Sequence, residues 1–308
     1  MGSNPGLAAT VSVVIPAYNA AEFLARAVRS ALDQTYPVSE IIIVDDGSND
    51  DTVKVARALE LDDGRIKLIE LGTNGGPSKA RNAAIANAKS DWIAVLDADD
   101  AYLPERLATM VAVTEGADIV ADNMLYYDAK KGTVGLHGAR RTTGSETIDL
   151  LTFADARRDH EDFGLFQPMF RRAFLERHGL TYPEDLRHGE DFQLMVEALA
   201  KGAVFRLSWV PTYLYTTRHS GWSRTSIDYR RVSATLKALT QRDDLNLSPA
   251  VRAKLRDRAA VADDLHLREQ VKEAIRNRAL LRALALSVSH PVIWKFGFDK
   301  ARRYFGRI

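Results

Sequence analysis

Cysteine is absent from the 308 residues, which excludes a disulfide scaffold, a Cys-ligated zinc site and a thiol nucleophile. No run approaches the ~20 apolar residues that a helical membrane span needs. The opening Met1-Gly2-Ser3-Asn4-Pro5-Gly6 has neither the basic n-region nor the apolar h-region of a signal peptide. Together these absences predict a soluble protein kept in the cytoplasm. An excess of one charge is missing too: 42 Lys and Arg stand against 41 Asp and Glu, so the chain as a whole makes no electrostatic case for binding nucleic acid. There is no internal repeat and no low-complexity segment. At 46% hydrophobic and 27% charged residues, the composition excludes wholesale disorder.

The even balance hides an asymmetry. Residues 271–308 carry nine basic side chains against two acidic ones, a net +7, which leaves −6 for everything before them. Such a split suggests a basic tail that meets an anionic surface.

Up to residue 97 the pattern alternates strand and helix. Residues 11–16, 40–46, 65–71 and 91–97 are short, β-branched apolar runs, and Ile41-Ile42-Ile43-Val44 reads as a strand buried on both faces. Between them, Phe23, Leu24, Ala27, Val28, Ala31 and Leu32 recur at helical spacing, and residues 50–61 and 78–88 read as further helices. The order βαβαβαβ predicts a parallel sheet with right-handed crossovers. Beyond residue 118 the pattern is mixed: a strand at 118–127, helices at 146–154, 170–179 and 189–201, and strand pieces over 204–215 broken by Pro211. From residue 228 nearly everything reads as helix, one starting at Ser248-Pro249, an N-cap followed by proline.

In open parallel sheets ligands bind beyond the carboxyl ends of the strands. Here those ends read Pro16-Ala17-Tyr18-Asn19, Asp45-Asp46-Gly47-Ser48 and Asp97-Ala98-Asp99-Asp100. Asp often follows a strand because it suits turns and helix N-caps, and Asp50 and Asp51 fit that bland reading. Three carboxylates within four residues do not, because they repel unless a cation or ligand compensates. Hard oxygen ligands favour Mg²⁺ or Mn²⁺. A dinucleotide fold would need Gly-x-Gly-x-x-Gly in the first turn, which has no glycine, and the Gly75-Gly76-Pro77 loop lacks the Gly-Lys-Ser/Thr ending of a P-loop.

At these residues the sequence resembles the family 2 glycosyltransferases, inverting enzymes of GT-A fold that use nucleotide-sugar donors. The matching text is Val-Ser-Val-Val-Ile-Pro-Ala-Tyr-Asn (11–19), Ile-Ile-Val-Asp-Asp-Gly-Ser-Asn-Asp (42–50), Ala-Arg-Asn-Ala-Ala-Ile (80–85) and Val-Leu-Asp-Ala-Asp-Asp (95–100). Gly-Glu-Asp-Phe (189–192) and Arg-His-Ser-Gly-Trp-Ser (218–223) come later in family order. The resemblance implies a Rossmann-like, mostly parallel α/β sheet flanked by helices, with a C-terminal helical extension. Residues 1–9 would be a disordered terminus or a remnant of cloning. Residues 10–225 would be the GT-A domain, divided into a nucleotide-sugar half (10–117) and an acceptor and base half (118–225). Residues 226–308 would be the basic helical region.

Carried over by position, Pro16, Tyr18 and Asn19 would line the nucleoside pocket, and Asp46 would accept the uracil N3 proton. Arg81 would face the nucleotide, although an amphipathic helix can also carry a surface arginine. Asp97 and Asp99 resemble the family's Asp-x-Asp pair around Ala98, with Asp97 and Ala98 on the donor and Asp99 on Mn²⁺ or Mg²⁺; Asp100 would only cap the next element. His219 would complete the metal shell or meet the leaving group, against a purely structural reading. Asp191 resembles the catalytic base, at a helix start that would lower its pKa. Glu190 and the strand-end pair Asp122 and Asn123 would meet the acceptor. The implied reaction moves one sugar from a UDP-sugar, UDP-glucose or a related hexose or uronic acid, to a hydroxyl of a glycan or lipid-linked oligosaccharide. The membrane spans and Gln-x-x-Arg-Trp motif of the processive members are missing, and the overall look is that of bacterial exopolysaccharide (succinoglycan-type) enzymes. The tail, with Trp294, Phe296, Phe298, Tyr304 and Phe305, would attach peripherally to the inner face of the membrane or pack within a helical subdomain. A nucleotidyltransferase, or a catalytically silent nucleotide-sugar-binding protein, are the alternatives.

Overall fold

The computed structural model describes residues 9–136, 141–155, 163–186, 188–217, 227–279 and 281. The chain divides into two compact units, residues 1–225 and 226–308.

The first unit opens with β1 (Val11–Ala17), α1 (Leu24–Leu32), β2 (Glu40–Asp45), α2 (Thr52–Asp62), β3 (Ile66–Glu70), α3 (Pro77–Asn87) and β4 (Trp92–Val95). These strands are parallel in the order β3-β2-β1-β4, with Val13 registered against Ile41 on one side and Ala94 on the other. All six residues of β2 are buried, as a central parallel strand with both faces covered requires.

The chain continues through β5 (Ala101–Tyr102), α4 (Arg106–Val111), β6 (Ile119–Asp128), β7 (Thr133–Leu136), β8 (Ser145–Ile148), α5 (Leu150–Ala154), β9 (Met169–Arg171), α6 (Arg172–His178), α7 (Glu190–Ala200) and β10 (Phe205–Thr217). These strands extend the sheet to ten, in the order β3-β2-β1-β4-β9-β6-β10-β5, with β7 on β6 and β8 on β10. The sheet is therefore parallel over its first half and mixed over its second: β9 runs antiparallel to both β4 and β6, while β10 is parallel to β6.

Three elements depart from the sequence reading. Residues 145–148 form a strand against β10 rather than the start of a helix, and Asp149 then caps α5 by accepting the Thr152 amide at 2.7 Å. Met169–Arg171 is a strand wedged between β4 and β6, so α6 starts two residues later than the pattern suggests. Pro211 does not break β10; it sits at a register shift against β6, where a missing amide is tolerated.

In the second unit, α8 (Tyr229–Leu239) packs against α9 (Pro249–Arg276). Ser248 caps α9 through the Val251 amide at 3.2 Å with Pro249 at the first position, the start read from the sequence. Among the described residues no helix is long and apolar enough to cross a membrane.

Candidate functional site

The turns after β1, β2 and β4 come together at one edge of the sheet because parallel strands put their carboxyl ends on the same side. The first two are laced to each other. Asn19, at φ +48°, donates its amide to Ser48 Oγ at 2.9 Å and accepts the Asn49 amide on Oδ1 at 2.8 Å. Asp45 Oδ2 accepts the amides of Gly47 and Ser48, both at 3.1 Å. Buried Asp46 grips the loop before α3, taking the Gly75 amide on Oδ1 at 2.7 Å and the Gly76 amide on Oδ2 at 2.8 Å. Each of its oxygens keeps a second lone pair for a further donor. Gly47 is what lets this loop come close: at φ +72°, a Cβ there would lie 2.8 Å from backbone atoms of Thr73 and Asn74. Pro16 and Tyr18 stand half-buried beside these turns.

The acidic turn after β4 is built from three carboxylates in three different situations. Asp97 accepts from Arg81 Nη2 at 3.0 Å and from Gln167 Nε2 at 3.1 Å, so both its oxygens are engaged. Ala98 is buried, and the backbone oxygen of half-buried Asp99 accepts from Arg26. Asp100 is 1% exposed and does not act as a cap: it accepts the Tyr213 hydroxyl at 2.6 Å and the Thr216 amide at 2.8 Å, fastening the turn to β10. Burial first, and then the charges of Asp97 and Asp99, push its carboxyl well above the usual range.

Arg81, in α3, is itself buried, at 4% exposure. Beyond Asp97 its guanidinium donates to Glu190 Oε1 at 2.9 Å, lies 3.6 Å from Asp191 Oδ1, and rests over the Tyr182 ring at 5.2 Å. Glu190, read as facing the acceptor, is thus buried and turned to Arg81. Gly189, at φ +85°, turns the chain into α7 and places Glu190 and Asp191 in its first turn. The helix start does not lower the Asp191 pKa. Burial dominates and raises it to about 7; the Arg81 charge opposes this, and Glu190 and Asp97 add to the rise. The Tyr182 hydroxyl beside Asp191 also opposes the rise, and Arg81 Nε is buried without a hydrogen-bond partner. A buried orphan of this kind is rare in a finished core.

Asp122 requires a correction. It lies inside β6, not at its end, and is 1% exposed. Arg106 Nε and Nη2 donate to its Oδ1 at 3.0 and 2.9 Å, and Thr212 donates to Oδ2. The guanidinium is held between the rings of Tyr102 and Tyr213, at 4.1 and 4.8 Å. No acceptor can reach this carboxylate. Asn123, fully buried, donates to the Arg141 carbonyl at 3.0 Å and is equally committed to the interior. His219 lies outside the described residues, as do the aromatic side chains of the basic tail. Gln167, Tyr182, Tyr213 and Arg26 join the site across long separations that leave no local signal in the sequence.

The residues fit a divalent cation shared with a substrate. Three carboxylates stand within four residues at this turn, and the charges of Asp97 and Asp99 add to the effect of burial on Asp100. Asp97 already accepts from Arg81 and Gln167, so Asp99 would be the principal carboxylate for such an ion. Among the described residues no three acidic or His side chains converge on a common centre. An ion here would have to be completed by water and phosphate oxygens around about one or two carboxylates, as Mg²⁺ usually is.

Known proteins carry the same architecture. A search of solved structures matches S. aureus TarS 1-349 in complex with UDP-GlcNAc at a TM-score of 0.64, with 21% identity, covering 82% of this chain and 72% of that one. The fold is thus the mixed α/β GT-A fold of glycosyltransferases. The family model described as glycosyl transferase family 2 matches residues 12–179. The succinoglycan biosynthesis protein ExoU of Rhizobium meliloti (strain 1021) is 36% identical over 309 residues, 96% of this chain and 89% of that one. ExoO of the same organism is 36% identical over 219 residues, 70% of this chain and 62% of that one. The chain belongs to glycosyl transferase family 2.

Proposed function

We propose that this enzyme transfers one sugar from a UDP-sugar to an acceptor hydroxyl, with inversion at the anomeric carbon and Asp191 as the general base. The observation that carries this reading is Asp191 itself: a part-exposed carboxylate in the first turn of α7, set against the buried Arg81 guanidinium and raised to a pKa of about 7, where it can take a proton near neutral pH.

The acceptor oxygen forms its bond to the anomeric carbon as the bond from that carbon to the UDP β-phosphate oxygen breaks. UDP leaves with the electron pair, and the acceptor proton passes to Asp191. With one carboxylate acting as base and none as nucleophile, a single displacement gives a β-linkage from an α-linked donor. Asp46, which holds the Gly75 and Gly76 amides, would accept a base-edge proton, and Tyr18 would lie against the nucleoside. Mn²⁺ or Mg²⁺ on Asp99 would neutralise charge on the diphosphate.

Support for a UDP-sugar comes from the TarS complex with UDP-GlcNAc. Support for a glycan acceptor comes from the two relatives named for succinoglycan biosynthesis, and a lipid-linked oligosaccharide is the acceptor we propose. Donors of the UDP-glucose or UDP-glucuronic acid type, and peripheral attachment to the inner membrane face through the basic tail, complete the proposal. Calorimetric titration with UDP, GDP and ADP, with and without Mn²⁺, tests the donor site. Metal-dependent, UDP-selective binding that is lost in Asp99→Asn supports it, and absence of nucleotide binding overturns it. Asp191→Asn should abolish transfer while leaving UDP affinity intact; equal loss of both removes the base assignment.

A further inference from the structure

We infer that Arg81 and Asn82 of α3 are positioning residues that dock the base-bearing segment onto the donor half, and that Arg81 is a brace between Asp97 and Asp191 rather than a nucleotide contact. The inference rests on the reading of Asp191 as the base.

The dock has two adjacent parts. Asn82 forms a reciprocal pair with the backbone of Tyr182, accepting its amide on Oδ1 at 2.8 Å and donating from Nδ2 to its carbonyl at 2.8 Å. A side-chain amide that satisfies both backbone groups of one residue fixes that residue as a neighbouring strand would. The clamp fixes the Tyr182 side chain, whose ring lies under Arg81 and whose hydroxyl meets Asp191, so it holds one wall of the pocket around the base. Next to it, Arg81 lies over the Tyr182 ring at 5.2 Å and reaches Asp97 at 3.0 Å, Glu190 at 2.9 Å and Asp191 at 3.6 Å. Donor turn, α3 and base helix therefore meet on one buried guanidinium.

The geometry leaves Arg81 little capacity for a nucleotide. Nη1 and Nη2 each donate to a protein carboxylate, and the whole side chain is 4% exposed. One cation also cannot neutralise three carboxylates. The charged groups around Asp191 are Arg81 from α3, Glu190 from its own helix and Asp97 from the turn after β4, with the Tyr182 hydroxyl beside them. Arg81 supplies the only attraction among these charges, so removing it leaves three carboxylates to repel one another and raises the proton affinity of Asp191.

The test uses the full chain with Arg81→Gln, Arg81→Lys and Asn82→Ala, and UDP with Mn²⁺ as the binding probe. Proton affinity is read without turnover, from the gap in melting temperature between each protein and its Asp191→Asn derivative as a function of pH. That gap levels off where Asp191 finishes ionising in the folded state. We expect UDP affinity within threefold of the parent for all three variants. The levelling point should move up by one pH unit or more in Arg81→Gln and return most of the way in Arg81→Lys. Transfer should fall at least tenfold in Asn82→Ala. A tenfold or greater loss of UDP affinity in Arg81→Lys and Arg81→Gln, with the levelling point unmoved, overturns the proposal. If Arg81→Gln does not fold, Asn82→Ala decides: transfer at the parental rate overturns the docking role. Retained transfer in Asp191→Asn alone would instead overturn the base reading on which this inference rests.

Discussion

Replacing Asp122 with alanine separates a structural carboxylate from an acceptor contact. In the folded protein both Asp122 and Arg106 side chains are 0% exposed. The variant removes the acceptor for Arg106 Nε and Nη2 and for the Thr212 hydroxyl, and leaves the guanidinium with the Gln167 carbonyl, at 2.7 Å, and two tyrosine rings. Breaking a buried pair in this way costs about 3–5 kcal/mol, a large part of the ~5–15 kcal/mol that holds a typical domain together. For a unit of this size the loss corresponds to a fall in Tm of roughly 6–20 °C. Urea unfolding followed by tryptophan fluorescence, with calorimetry alongside, reads it directly. The double variant Asp122→Leu/Arg106→Met should recover most of the loss, because an apolar pair of similar volume avoids burying charge. A stability change below about 1 kcal/mol, together with a raised KM for the acceptor, would refute this reasoning and return Asp122 to the substrate.

The same geometry sets further outcomes. Transfer should rise as pH climbs through about 7, because the raised pKa keeps Asp191 protonated below that value; a rate that is flat from pH 5 to 8 would count against it. The sign for stability is opposite: the raised pKa favours the folded state at low pH and that benefit is lost between about 4 and 7, so Asp191→Asn should melt higher than the parent at pH 8 and level with it below pH 4. Gly47→Ala should cost about 1–3 kcal/mol and weaken UDP binding at least tenfold, because the new Cβ at φ +72° pushes the 72–76 loop off Asp46; unchanged affinity would mean that this loop does not shape the donor site. Deleting residues 288–308 should reduce sedimentation with anionic vesicles, and unchanged sedimentation would remove the membrane role of the tail.

The sequence alone determined the alternation β1 to β4 and the edge on which Tyr18, Asp46 and Asp99 fall. Hydrophobic period and turn chemistry are local properties, and parallel strands joined by helices have their carboxyl ends on one side regardless of the rest of the chain. It also determined the start of α9, from one Ser-Pro step. It did not determine what each polar residue touches. Asp122 reads as a strand-end acid until Arg106, 16 residues away, is folded against it. Asp100 reads as a cap until Tyr213 and Thr216 arrive from more than 110 residues downstream. Asp191 shows the limit most clearly. Its place at a helix start argues for a lowered pKa, and local charge is all that a sequence displays. Only the tertiary structure gathers it with Glu190 and Asp97 around a single buried arginine, and desolvation, which depends on everything packed nearby, outweighs the helix terminus.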